Sequence, residues 1–502
     1  MRLAHGFCLV LAGASFGSKV LFDGGTIITF DENAQAVKVL RNTSVLVEDD
    51  IISAIYEEAT REAPSNDTEV ISAVGKIITP GFIDTHRHLF QTGLRTMRSN
   101  ITMAAYFAAL SPYVPNVINR FTADDIYYGQ LFGIWQSLEA GVTTIIDHSY
   151  GTFDEETSEA SLRASIDSQA RISWCYGIHR IPNNFTIERQ VAYFKRVAKT
   201  IDWDSTLVQL GISYDEFDGG LEADIDEVIR LTKEYNVSAL TTHFMGGPWI
   251  ASNSPTLLNR LGLLNLTTPV IFSHATSLSP DDATLLRELN HHIAISPESE
   301  MHFGHGFPHS HNIMDQAGLA IDAGWAWSAD LISQARIWLQ SVRAKHFQKA
   351  LDDWKAPANS PMSVNQAFLL ATLGGARALR RPDLGVIAVG AKADIVVFDA
   401  TSRNFLGWTD PVAAVILHSH AGHVEHVMVD GTFRKRDFKL VMPSNTSRAL
   451  EDATERFLES AQRLQAQFMA DPPIIVQGEH KPGVPYIQLE HVDALAGNAT
   501  GY

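Results

Sequence analysis

Cysteine is nearly missing from this chain. Two occur in 502 residues, Cys8 and Cys175. A disulfide framework and a cysteine-based metal site are therefore both excluded, and any bound metal must be held by histidine and carboxylate. No apolar run reaches the ~18 residues that would span a bilayer. Positive charge is also short: 39 Lys and Arg stand against 57 Asp and Glu, a net charge of −18. That surface repels nucleic acid and anionic membranes, so neither is expected as a partner. There are no internal repeats and no low-complexity tract.

What remains is an ordinary globular balance, 45% hydrophobic and 19% charged, with length for a large core. Met1 and Arg2 precede an apolar run, Phe7 to Ala14, and small residues follow at Ala12-Gly13-Ala14 and Ser18. This reads as a signal peptide over 1–18, with the mature chain starting between Ser15 and Lys19; a first β-strand with a ragged start is the alternative. Asn-x-Ser/Thr sequons stand at Asn42, Asn66, Asn100, Asn184, Asn236, Asn265, Asn445 and Asn498, against about three expected from composition. The expectation is a secreted glycoprotein, or a cytoplasmic protein if the leader is not a signal.

Short β-type runs separated by turn residues fill 19–78, and similar texture returns over 381–445. Between them, in 79–380, apolar strands alternate with helical stretches, as in a parallel sheet built from βα units. Eight strands are predicted: Gly81–His86, Val142–Asp147, Arg171–Gly177, Leu207–Ser213, Ser238–His243, Val270–His274, His292–Ser296 and Trp325–Ala329. The fold class is α/β: a (β/α)8 TIM-type barrel with a small β-sandwich domain made from the N- and C-terminal segments. A helix and tail over 446–502 complete the chain. Trp325 and Trp327 read as barrel core.

Barrel enzymes carry their chemistry at the C-terminal ends of the strands. His86 and His88 end the first strand on one side of it, as alternate residues do. Chance alone gives about one His-x-His pair, and His309/His311 and His418/His420 also occur, so position is what favours the first pair. His243 ends the fifth strand, His274 the sixth and Asp330 the eighth. Four polar strand ends on one rim form a candidate metal site, since neutral imidazole and carboxylate are the donors such ions use.

Thr79-Pro-Gly-Phe-Ile-Asp-Thr-His-Arg-His resembles the signature that ends the first barrel strand of the amidohydrolase superfamily. The similarity extends through Ala140-Gly-Val-Thr-Thr-Ile-Ile-Asp-His, the segment from Ser296 to Gly306, Gly374-Gly-Ala-Arg-Ala-Leu, Gly385–Asp394 and Val427–Gly431. The chain is most similar to the cytosine-deaminase and chlorohydrolase-like branch. The resemblance implies a divalent metal held by His86, His88, His243 and Asp330, and His274 beside its water. Zinc suits this donor set; Fe2+ and Mn2+ accept it too. Such a metal lowers the pKa of its water. Asp330 is then expected to accept the proton, and His274 to orient the water or stabilise the oxyanion.

One position departs from the deaminase pattern. The glutamate three residues after the fifth-strand histidine, which shuttles a proton to the leaving nitrogen, is here Gly246. Glu298 and Glu300 are candidates to reach the same pocket. Gln91, His148, His179 and His305 are candidates for substrate binding. The loop from Met301 to His311, with His302, His305, His309 and His311, reads as pocket lining rather than a second metal site.

The expected activity is metal-dependent hydrolysis of a C–N bond, by a deaminase or a cyclic amide or amidine hydrolase, in a small heterocyclic molecule. The alternative, kept open by Gly246, is a dehalogenase-like hydrolase, a lyase or a decarboxylase on the same site. A barrel that only binds is disfavoured by the intact ligand residues. The expected partner is a small-molecule substrate, with homo-oligomers left open.

Overall fold

The computed structural model describes residues 19–492 apart from 60–63, 250–251, 442–446, 477–478, 482–483, 486–487 and 491. The predicted leader, Asn445 and Asn498 lie outside the described residues.

Eight parallel strands run in sequence order around the barrel: Phe82–Arg87, Val142–Ser149, Arg171–Gly177, Val208–Ser213, Leu240–Phe244, Val270–His274, His292–Ile295 and Ala317–Leu319. Most are buried on both faces, as strands covered by helices outside and side chains inside must be. Helix starts follow local chemistry. Thr122 and Asp125 form a capping box on Ala123–Glu139, and Asp154 and Thr157 do the same on Glu155–Ser168.

The eighth strand corrects the sequence reading. It is Ala317–Leu319, three residues long, and not Trp325–Ala329. Closure is made just beyond it. The Asp322 N–H donates to the His86 carbonyl (2.9 Å), and the His88 N–H donates to the Asp322 carbonyl (3.1 Å). Trp325 is not barrel core either. It lies in a separate apolar cluster with Phe90, Met103, Phe121, Phe303 and Phe468, and the Trp327 indole donates to the Ile321 carbonyl.

Segments from both ends of the chain form one mixed nine-stranded sheet. Ile77–Pro80 lies between Lys19–Asp31 and Ile395–Phe398 and so joins the N-terminal strands to the C-terminal ones. Gly81 alone separates this sheet from the first barrel strand. A Cβ there would stand 2.0 Å from Thr143 Oγ1, so a side chain is sterically barred where sheet and barrel meet. The C-terminal helix, Ser447–Met469, lies on Ala123–Glu139 and on the turn Leu89–Leu94. Its Leu464 and Phe468 are fully buried. Ser460 and Arg463 both bond Asp125, and just past the helix Asp471 pairs with both Arg120 amines at 2.6 and 2.7 Å. Among the described residues no helix is long and apolar enough to cross a membrane.

Gly81→Ala is expected to destabilise the protein by about 1–3 kcal/mol, through overpacking against Thr143. Thermal unfolding checks it; an unchanged melting temperature would contradict the close packing.

Candidate active site

The first strand delivers His86 and His88 to the rim on the same side. Ring centroids of His86 and His243 lie 4.8 Å apart, as do those of His86 and His88. Each of the three rings has its Nδ1 occupied from behind. His88 Nδ1 donates to the His148 carbonyl (2.9 Å), His86 Nδ1 meets Ser273 Oγ (2.8 Å), and His243 Nδ1 donates to Asp215 (2.6 Å). These bonds fix ring orientation and leave Nε2 of each ring as the atom for a ligand. His86 Nε2 is buried without a hydrogen-bond partner.

The carboxylate facing these nitrogens is Asp322, which the sequence reading missed. Its Oδ1 stands 3.3 Å from His86 Nε2 and 3.4 Å from His88 Nε2, and its Oδ2 accepts from Ser299 (2.5 Å). Burial opposes its charge, yet His86, His274 and His88 hold its carboxyl well below the usual range. Burial lowers His88 to about 4 and keeps His86 neutral. A carboxylate with neutral imidazoles directed at one point is a donor set that fits a divalent metal.

Asp330 is elsewhere. It is the N-cap of the helix Leu331–Asp352, accepting from the Ile332 N–H (3.0 Å) and Ser333 Oγ (2.9 Å). With the strand ending at Leu319, Asp330 falls after a further loop, and its carboxylate is committed to the cap. His274 does reach the cluster, 5.4 Å from His86 and 5.6 Å from His243 between ring centroids. It has a left-handed φ of 71°, and Asp322 one of 64°. Such backbone costs about 1–3 kcal/mol and concentrates at functional sites.

The sequence also gave no sign of Asp215. This residue follows the fourth strand and accepts from the His243 N–H (2.7 Å), Thr242 Oγ1 (3.3 Å) and the Tyr150 hydroxyl. Burial works against its charge, but His243 and His148 hold the carboxyl well below its ordinary range. His148 Nε2 lies 3.7 Å from it.

A cavity of about 90 Å3 opens over the cluster, bordered by His88, His243, His274, Asp215, Asp322 and Gln91 among others. Gln91 is thus where the sequence puts it, with its Nε2 donating to the Tyr106 hydroxyl. The other five candidates, His148 among them, do not border the cavity. His179 stacks behind Tyr150, ring centroids 5.0 Å apart. His305 packs edge-on against His274. Glu300 is fully buried, accepts from the Ser296 N–H and stands 3.5 Å from His274 Nδ1. Glu298 accepts from Gln334. Neither glutamate therefore occupies the place of the missing one. The remaining loop histidines, His302, His309 and His311, join no metal-capable group among the described residues.

Gly246 has a local cause. Its φ is 66°, that of Gly247 is 56°, and a Cβ on Gly246 would lie 2.8 Å from the Ser277 Cβ. The turn after the fifth strand is left-handed and packed, so a glutamate does not fit there. Gly246→Glu is accordingly expected to cost about 1–3 kcal/mol and to lower the melting temperature. A variant as stable as the parent would show that the turn tolerates a side chain.

Comparison with known proteins agrees with this architecture. The amidohydrolase family profile matches residues 77–434. A 5-methylthioadenosine/S-adenosylhomocysteine deaminase of Acetivibrio thermocellus is 21% identical over 88% of this chain and 99% of its own. Among solved structures, an adenosine deaminase from Xanthomonas campestris with bound zinc superposes with a TM-score of 0.72 at 18% identity, covering 90% of this chain and 99% of its own. An atrazine chlorohydrolase from Arthrobacter aurescens, complexed with zinc, gives 0.72 at 19% identity over 87% of this chain and all of its own. The chain belongs to the amidohydrolase family.

Proposed function

We propose that His86, His88, His243 and Asp322 hold one zinc ion, and that the reaction is deamination or ring-amide hydrolysis of a small heterocycle. The observation that carries this is the rear occupation of all three Nδ1 atoms, with Asp322 Oδ1 standing before the Nε2 atoms of His86 and His88. When bound, the ion supplies Lewis acidity and an acidified water.

The chain's own groups have distinct tasks. Asp322 accepts the proton of the attacking water, because its carboxyl stays ionised while its Oδ2 is anchored by Ser299. His274 stands beside the same cluster and stabilises the oxyanion, with Glu300 Oε1 3.5 Å from its Nδ1. Gly246 supports a second reading. Without a shuttle acid at that turn, a leaving group that departs without protonation, such as halide, suits the site; ammonia against halide release separates the two.

The carboxylate assignment has a direct test. Asp322→Asn should lose about 10²–10⁴-fold in turnover, with metal content falling as well. Asp330→Asn should keep metal and activity, since asparagine also caps helices. His274→Asn should retain metal and lose about 10²–10³-fold. Elemental analysis with turnover for each variant decides it: an empty site in Asp330→Asn or in His274→Asn contradicts the ligand set.

We also propose that the protein is secreted and glycosylated. The leader pattern and the excess of sequons support this, and all six described sequon asparagines, from Asn42 to Asn265, are exposed. Intact mass after expression in a eukaryotic host should show a processed, glycan-bearing chain; an unprocessed, unmodified product refutes it.

A further inference from the structure

The three groups behind the ring cluster differ in what they can do. The His148 carbonyl behind His88 only accepts, and no side-chain substitution removes it. The Ser273 hydroxyl behind His86 can accept or donate. Behind His243 stands Asp215, a side chain that as a carboxylate only accepts. Which nitrogen of a neutral imidazole carries the proton is set by the bond that its other nitrogen makes. Residue 215 therefore decides which way the His243 lone pair points.

Asp215 has its acceptor places filled. Oδ1 takes the His243 N–H (2.7 Å) and Thr242 Oγ1 (3.3 Å), and Oδ2 takes His243 Nδ1 (2.6 Å) and the Tyr150 hydroxyl. Four donors on two oxygens leave no place for a proton on the carboxyl. Asn253 keeps the two residues in register, because its Nδ2 donates to the carbonyls of Asp215 and His243, both at 3.0 Å. Asparagine has the shape of aspartate but a single oxygen. If that oxygen meets the His243 N–H, a donor that cannot reverse, the amide NH2 faces His243 Nδ1. Nδ1 must then accept, and the ring proton moves to Nε2, the atom directed at the metal. The opposite flip sets the amide NH2 against the His243 N–H, two donors face to face and both unsatisfied.

We infer that Asp215 commits His243 to metal binding by holding the proton of its ring on Nδ1. Asp215 is thus a positioning residue, acting on the metal through His243. The inference rests on His243 being a ligand, as in the proposed function, and adds a requirement from the fourth strand that the ligand set alone does not contain.

The test measures zinc dissociation constants of the full chain by competition with a chromophoric chelator, for the parent, Asp215→Asn and Thr242→Val. Histidine nitrogen NMR of each metal-free chain gives the position of the ring proton, with the His243 signals identified from His243→Gln. Asp215→Asn should bind zinc about 10–100-fold more weakly. Its His243 should carry the proton on Nε2, where the parent carries it on Nδ1. Thr242→Val removes one of the four donors and leaves both His243 bonds, so its affinity should stay within about threefold of the parent. Thermal unfolding of the metal-free chains separates a lost ligand from a lost fold. Zinc held by Asp215→Asn as tightly as by the parent overturns this inference alone. So does an Nε2-bound proton in the metal-free parent, a measurement that decides the matter even if Asp215→Asn does not fold. A parent that takes up no zinc sinks the proposed ligand set, and this inference with it.

Discussion

Closure of the barrel and assembly of the site are the same event. Asp322 exchanges two backbone hydrogen bonds with the first strand, one to His86 and one from His88, and these are the bonds that bring strand eight to strand one. The side chains of those three residues are the ones that meet above. A rim this constrained keeps its donors in place without a ligand, because the backbone positions are set by ladder geometry rather than by loops. The left-handed backbone of Asp322 and His274 is the strain that such over-determination sustains.

Around that rim stands a layer the barrel does not supply. The turn Leu89–Leu94, the helix Met103–Ala109, and the segments carrying Phe303 and Trp325 form an apolar cluster above the strands. Phe468 from the C-terminal helix completes it. Gln91 lies on the same turn, so its direction depends on contacts made by residues nearly 400 positions later. Polar pins reinforce the packing: Arg98 donates to the Phe468 carbonyl, and Gln465 to that of Gly93.

The sequence was informative where periodicity and position agree. Seven barrel strands lie within a few residues of their predicted limits, because a strand buried on both faces reads as a continuous apolar run. Ala317–Leu319 escaped because it is short and contains Gly318, where a side chain would meet Thr85 Cγ2 at 2.6 Å. The more conspicuous run at Trp325 drew the assignment and moved the expected carboxylate to Asp330. The signal for Asp322 was present, a carboxylate directly after the apolar run Ala317–Ile321. Asp215 had no comparable signal, since its partners, Tyr150, Thr242 and His243, are dispersed in sequence and meet only in the fold. Glu298 and Glu300 looked like rim residues, but the short helix Pro297–His302 turns both away from the cavity.

The position of the C-terminal helix has a consequence for biogenesis. A ribosome releases the barrel strands long before it releases Leu464 and Phe468, and Ile77–Pro80 waits for Ile395–Phe398 to arrive. Until then the nascent chain presents Phe90, Leu94 and Phe121 without their cover. Unburied apolar surface of this kind engages chaperones or other chains. A chain that lacked this helix would leave the site-bearing turn unsupported and its apolar face open to quality control.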